Sequence, residues 1–258
     1  MAFDPVPTRV VSLNPTTTEI VFAIGAGNRL VGRSHWDSWP DSARFVPDLG
    51  PAIRPTVEAI LGARPDLVLL YASDDDRPAA ERLASAGIRT VALKIDSIDQ
   101  FRRSTLLLGR LLGEPRRAAT VVDSVDRTLV RVRAATASLG RPRVFFHVWE
   151  KPLMTIGRDS FLNELIDIAG GINIYGATPG PSPVVTLEDV ARRDPDVVLV
   201  SPLTAAALRA SAAWQSLRAV REGRVLVYDT TVVGRPSVTL GMAAVNLATL
   251  LHPGSMKR

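Results

Sequence analysis

Three histidines, four tryptophans and two glutamates at matching positions carry most of the chemistry this chain has to offer. His35 and His147 each follow a short apolar run, where a strand gives way to a loop. As metal ligands they would need carboxylate partners such as Asp37 or Glu150. The plainer reading makes each a polar loop residue that hydrogen-bonds a ligand. His252, near the C-terminus, reads as solvent-exposed. Aromatic residues make up only 5% of the sequence, so where they fall is informative. Trp36, Trp39, Tyr71 and Trp149 lie on strand-end loops, and Trp214 on a helix in the second half. The rings of Trp36, Tyr71 and Trp149 read as surfaces on which a flat or bulky ligand stacks, Trp39 and Trp214 as ordinary packing.

Several chemistries are excluded. There is no cysteine, so thiolate catalysis, disulfides and Cys-based zinc or iron–sulfur sites are absent. No Gly-x-Ser-x-Gly elbow, phosphate loop or Gly-x-Gly-x-x-Gly fingerprint occurs. Gly25-Ala-Gly27 is an incomplete version of the last and falls at a helix end. No pair of carboxylates is fixed by spacing, so nothing argues for hydrolysis. Lys and Arg outnumber Asp and Glu by 31 to 26, but the basic residues are scattered among acidic ones without interleaved aromatics. The charge reads as a basic solvated surface, with no nucleic-acid partner. No apolar run approaches the roughly 20 residues of a membrane span. Met1 to Pro7 lacks the basic-then-apolar pattern of a secretory signal, so either the protein stays inside or a signal has been removed.

The elements that must position these residues alternate along the chain. Arg9 to Leu13 is a short strand, and Asn14-Pro15 then opens a helix, capped by Thr16 or Thr17 and ended by Gly25 and Gly27. Leu30-Val31-Gly32 is a second strand running into the loop Ser34-His35-Trp36-Asp37. Leu67 to Tyr71 and Ile88 to Leu93 are strands around a helix at Ala79 to Ala86. Short links between strands and helices argue for a parallel sheet covered on both faces. In open sheets of that kind, ligands sit beyond the carboxyl ends of the strands. A long helical segment follows, Asp96 to Leu139. From Pro115 its apolar residues fall at Ala118, Val121, Val122, Val125, Leu129 and Val132, one face of a helix. Pro115 opens this rod and Gly140 and Pro142 stop it. About 25 residues give roughly 37 Å, enough for a stiff connector.

The scheme then restarts. Arg143 to Trp149 is a strand, Phe161 to Ala169 a helix, Val197 to Val200 and Val225 to Tyr228 further strands, and Leu240 to Leu251 a last helix. Glu58, six residues, Pro65-Asp66 and four apolar residues recur as Glu188, six residues, Pro195-Asp196 and four apolar residues. The expected architecture is α/β: two Rossmann-like lobes, residues 1–112 and 141–258, joined by one long backbone helix at 113–140, with a ligand cleft between the lobes. Glu58 and Glu188 hold equivalent positions. One reading is charge placement at helix N-termini. The other, favoured by the symmetry, is a pair of acidic knobs that dock onto arginines of a two-fold partner.

Together these features resemble the substrate-binding proteins of bacterial ABC importers for vitamin B12, ferric siderophores and haem, the class with a single helical backbone. The matching stretches are Arg9 to Glu19, Leu30 to Gly32, Glu58 to Leu70, Pro152 to Gly157, Ala169 to Asn173, Glu188 to Val200 and Trp214 to Val227. The resemblance implies a non-enzymatic carrier, a monomer outside the cytoplasmic membrane, with signal or lipid anchor removed from this chain and no cofactor of its own. It implies that Glu58 and Glu188 pair with arginines of a permease dimer, and that the stiff helix limits closure. Asn14, His35, Trp36, Tyr71, His147, Trp149 and Arg235 are then the ligand-binding candidates. The chain is most similar to the cobalamin binders, with Trp36 and Tyr71 at aromatic positions of that group. Where those proteins carry a further ring in the last loop, this chain has Val232. A ferric siderophore would call on cationic groups such as Arg33, Arg158 and Arg235, and haem on His35 or His147 as axial ligand. A metal-ion carrier using the two histidines is the remaining alternative.

Overall fold

The computed structural model describes residues 4–256, and the chain divides into two compact units. Unit 1 comprises Met1–Ser124 with Pro236–Val238, and unit 2 Val125–Arg235 with Thr239–Arg258. The reading of Met1 to Pro7 falls partly outside the described residues.

Unit 1 opens with strand β1 (Val10–Ser12), helix α1 (Pro15–Ala23) and strand β2 (Leu30–Arg33). Helix α2 (Val57–Gly62), strand β3 (Leu67–Tyr71), helix α3 (Arg77–Ser85), strand β4 (Arg89–Leu93) and helix α4 (Ile98–Leu111) follow. The strands form one parallel sheet in the order β2-β1-β3-β4. Leu67, Val68, Leu69 and Leu70 are all fully buried, as a strand covered on both faces requires. On one side Val68 and Leu70 pack with Val57, Ile60, Ala79 and Leu83 from α2 and α3. α1 is capped by Asn14, whose side-chain oxygen accepts from the Thr16 amide at 3.0 Å. The cap is thus two or three residues upstream of the expected threonines, because Pro15 takes the first helical position and leaves the preceding Asx to serve.

Helix α5 (Pro115–Thr136) follows, opening at the proline as expected, with Ala118, Val122, Val125, Leu129 and Val132 buried. Its 22 residues amount to about 33 Å. It ends short of Gly140, at a turn where the Thr136 hydroxyl comes within 3.1 Å of both the Val132 and the Ile168 carbonyls and ties α5 to the next helix. The boundary between the two units falls inside α5.

Unit 2 begins with strands β5 (Arg143–Phe146), β6 (Trp149–Glu150) and β7 (Leu153–Met154), then helix α6 (Phe161–Ile168), strand β8 (Ile172–Asn173) and helix α7 (Leu187–Arg193). Strand β9 (Val197–Val200), helices α8 (Pro202–Ala210) and α9 (Arg218–Arg221), strand β10 (Val225–Val227), and helices α10 (Thr230–Val233) and α11 (Leu240–Leu251) complete it. Its parallel sheet runs β10-β9-β5-β8. Matched through the repeated segments, β5 corresponds to β1, β9 to β3 and β10 to β4, so both sheets have one strand order. The expected single strand from Arg143 to Trp149 is broken: β6 and β7 turn back as a small antiparallel hairpin, anchored by the Thr155 hydroxyl donating to the Phe146 carbonyl at 2.7 Å.

The structure gives the repeated Pro-Asp a job. Asp66 accepts from the amides of Thr8 and Arg9 at 2.8 and 3.1 Å, fixing the start of β1. Asp196 accepts from the Arg143 amide at 2.8 Å, fixing the start of β5. The residues before the two prolines, Arg64 and Asp194, have φ of 47° and 41°, the left-handed region in which the helix can end abruptly. No helix among the described residues is long and apolar enough to cross a membrane.

Candidate functional site

All strands of a parallel sheet end on one edge, and in unit 1 that edge carries Asn14, His35, Trp36 and Tyr71. Trp36 sits on the turn after β2 and is 55% exposed. Leaving so large an apolar ring in water is unfavourable, so the turn must be held from below. Asp37 does this. Fully covered, its carboxylate accepts from the Ser34 amide at 3.1 Å, the Ser34 hydroxyl at 2.8 Å and the Thr18 hydroxyl at 2.8 Å. Ser12 Oγ lies 2.8 Å from that Thr18 hydroxyl and 2.7 Å from Thr17, so β1, α1 and the Trp36 turn share one buried polar network. Asp37 is therefore a brace and not the metal partner of His35 that its spacing suggested.

His35 is tied elsewhere. Its Nδ1 is 3.0 Å from Asp48 Oδ1, and its amide donates to Gly50 at 3.0 Å. A carboxylate accepting from Nδ1–H leaves the Nε2 lone pair bare on a half-exposed ring. Arg33 is spent on the fold: its guanidinium donates to the carbonyls of Ala43 at 3.0 Å and Ser34 at 2.8 Å. Asn14 is largely buried and caps α1. Tyr71 ends β3, and its hydroxyl donates to Asp96, just past β4, at 2.7 Å. Burial first, then the Asp96 charge, push the phenol well above its ordinary value, so it stays a neutral donor. Beside it, the ends of β3 and β4 and the start of α3 enclose a pocket of about 580 Å³ lined by Tyr71, Asp74, Arg77 and Lys94.

In unit 2 the corresponding edge follows β5. Here the two candidates part company. Trp149 is 62% exposed on the β6–β7 hairpin, its indole N–H donating to the Lys151 carbonyl at 3.1 Å. His147 is only 2% exposed. Its Nε2 lies 2.8 Å from Glu150 Oε2, and the ring packs edge-on against Trp214 with centroids 5.7 Å apart. Trp214, buried in a 3₁₀ turn rather than on an α-helix, donates its indole N–H to the other Glu150 oxygen at 3.2 Å. So His147 is placed inside the unit as a support of the hairpin, and Glu150 holds two donors in place of a metal. No group of three or more metal-ligating side chains forms among the described residues.

Arg235 follows α10 and is half-buried. Val232, at the position of the missing ring, is buried within α10. Arg158 is exposed and pairs with Asp159 at 3.4 Å. His252 is half-buried, its Nε2 3.3 Å from the Gly170 carbonyl, and so is not the exposed residue its terminal position suggested. Glu58 and Glu188 lie exposed in the first turns of α2 and α7.

The arrangement offers exposed indoles on each unit's sheet edge. Of these partners, Asp48 and Asp96 were not singled out as functional by the sequence, and Asp37 and Glu150 were considered only as carboxylates beside a metal, although Ser34-x-x-Asp37 has the spacing of a side-chain-closed turn.

Comparison with known proteins adds independent findings. A family model described as "Periplasmic binding protein" matches residues 10–232. The vitamin B12-binding protein of Pectobacterium carotovorum is 28% identical over 257 residues, covering 96% of this chain and 91% of that protein. The crystal structure of the periplasmic vitamin B12 binding protein of Vibrio cholerae superposes with a TM-score of 0.82 at 25% identity, covering 95% of this chain and 97% of that one. A periplasmic haem binding protein from Pseudomonas aeruginosa gives 0.84, also at 25% identity, over 97% and 94%. These relatives are binding proteins and not enzymes.

Proposed function

Because this chain belongs to the periplasmic binding protein family, we propose that it is the solute carrier of an ABC importer, binding cobalamin or a related corrinoid outside the cytoplasmic membrane and handing it to the permease. The observation that carries the ligand class is the pair of exposed indoles, Trp36 and Trp149, each fixed on a turn braced by a carboxylate. A broad, amphipathic ring system gains from such rigid stacking surfaces without needing a titratable partner. The likeness to vitamin B12-binding relatives along nearly the whole chain supports the same ligand. In this reading residues 1–112 and 141–258 act as lobes linked by 113–140, and the chain works as a monomer. Asn14 and His147 act by holding the loops that bear the rings, while Tyr71 and Arg235 contribute polar contacts. Glu58 and Glu188 pair with arginines of the permease dimer.

Haem is the second reading, favoured by one observation: His35, oriented by Asp48, has the geometry of an axial ligand with its orienting carboxylate. A siderophore has less support, since Arg33 and Arg158 are already engaged. Titration with cyanocobalamin, haemin and ferric siderophores, followed through tryptophan emission, separates these. The proposal expects saturable quenching by the corrinoid at micromolar concentration or below. Saturation by haemin alone, with a Soret shift lost in His35→Ala, would replace it with the second reading.

A further inference from the structure

The two glutamates at repeat-equivalent positions are not chemically equivalent. Glu58 is occupied: Arg82 of α3 donates from Nη2 to its Oε1 at 2.6 Å. Its own backbone N–H, and then that guanidinium, hold the carboxyl below the ordinary value. Glu188 is unoccupied, with no ion pair or side-chain hydrogen bond among the described residues. Two arginines stand one turn along from it on α7, yet both are bound to its neighbour. Asp189 accepts from Arg192 at 2.5 Å, from Arg193 at 2.8 Å and from the Tyr175 hydroxyl at 2.7 Å. Arg193 is further held with its guanidinium 4.3 Å above the Tyr175 ring. The repeat explains the difference. The residue after Glu58 is Ala59, so α2 offers no second carboxylate to draw a cation away, and Arg82 settles on the glutamate itself.

Net charge alone would slightly favour an incoming cation at Glu58. Glu188, Asp189, Arg192 and Arg193 sum to zero, and Glu58, Glu81 and Arg82 to minus one. What favours Glu188 instead is which carboxylate the cations hold. A guanidinium arriving at Glu188 finds both oxygens free for the paired geometry it prefers. At Glu58 it must displace Arg82 or lie against a like charge.

We propose that Glu188 is the primary docking contact for an arginine-bearing permease surface, and that Arg82 acts as a guard that weakens docking at Glu58. This rests on the docking role proposed above. The Arg82–Glu58 pair is solvent-exposed on both sides, so the guard is weak and reversible; exposed pairs of this kind change equilibria by up to about fivefold.

The test is binding of fluorescently labelled full-length protein to proteoliposomes bearing the cognate permease at low ionic strength, with permease-free liposomes as blank. Thermal melts of each variant check folding. Glu188→Gln is expected to weaken docking about threefold or more beyond Glu58→Gln. Arg82→Gln is expected to tighten docking about two- to fivefold, and to have no effect once Glu58→Gln is present. Equal losses from the two glutamine variants, with Arg82→Gln neutral, would leave docking standing and overturn the inequality. Unchanged docking in Glu58→Gln/Glu188→Gln would overturn both.

Discussion

Replacing Asp37 by alanine is expected to loosen the Trp36 turn at a cost that can be worked from the contacts. The carboxylate accepts from the Ser34 amide, the Ser34 hydroxyl and the Thr18 hydroxyl, at 3.1, 2.8 and 2.8 Å. A hydrogen bond to a charged group contributes about 1.5–3 kcal/mol, and a buried donor left without an acceptor costs about 1–3 kcal/mol. These terms do not add fully, because the hydroxyls can turn to one another, so Asp37→Ala should cost roughly 3–5 kcal/mol. Asp37→Asn keeps one acceptor oxygen and should cost about half of that. With a urea slope of about 2–3 kcal/mol per molar, the alanine variant's midpoint falls by about 1–2.5 M. Urea titrations followed by tryptophan emission and far-UV circular dichroism read this directly. A midpoint within about 0.3 M of the parent protein would refute the brace, since a network worth that little could not hold an indole in water.

Three further outcomes are expected. Trp36→Ala should weaken corrinoid binding by about 1–3 kcal/mol, roughly 5- to 150-fold, by calorimetry, with the thermal midpoint unmoved because the ring is exposed. His35→Ala should leave corrinoid affinity within a factor of about two, since the second reading alone asks for that imidazole. The third concerns acid. For Asp66, burial would raise the carboxyl, but the Thr8 and Arg9 hydrogen bonds outweigh it; for Asp196, the Arg143 amide and then Arg218 lower it. Both folded values thus lie below the ordinary 3.8, so the stability they contribute is full above that pH and is lost as pH falls through the folded values. Asp66→Asn/Asp196→Asn should be less stable at pH 7 and show a shallower loss below pH 4 in denaturation profiles. A parallel offset at every pH would contradict the assignment.

Much of the scaffold was legible because long periodic segments leave little choice. β9 and α11 match their apolar runs residue for residue, and α5 starts at its proline. The repeated Glu-x6-Pro-Asp announced two like units before their common strand order was seen. The losses are physical. β8 is two residues long, with one of them exposed, and offers no period to read. The run from Arg143 to Trp149 is apolar enough for one strand, and only the distant Thr155 hydroxyl on Phe146 shows where it breaks. The site was half legible for the same reason. Exposed Trp36 and Trp149 follow from strand ends, whereas the pairings that support them reach over 13 residues for His35–Asp48, 25 for Tyr71–Asp96 and 64 for Trp214–Glu150. His147 shows the limit. A histidine at a strand end reads as ligand-facing, yet the hairpin turns its ring onto Glu150 and against Trp214, a matter of backbone reversal that composition does not encode.

The central claim is that a solute is bound, unaltered, by rings held rigidly at the sheet edges. Equilibrium dialysis of cyanocobalamin against the full chain, with the recovered ligand checked by its absorption spectrum, tests it most directly. The account predicts about one ligand bound per chain, released unchanged, with binding weakened in both Trp36→Ala and Trp149→Ala. No retained corrinoid, or equal retention by the parent protein and the Trp36→Ala/Trp149→Ala double variant, would contradict it.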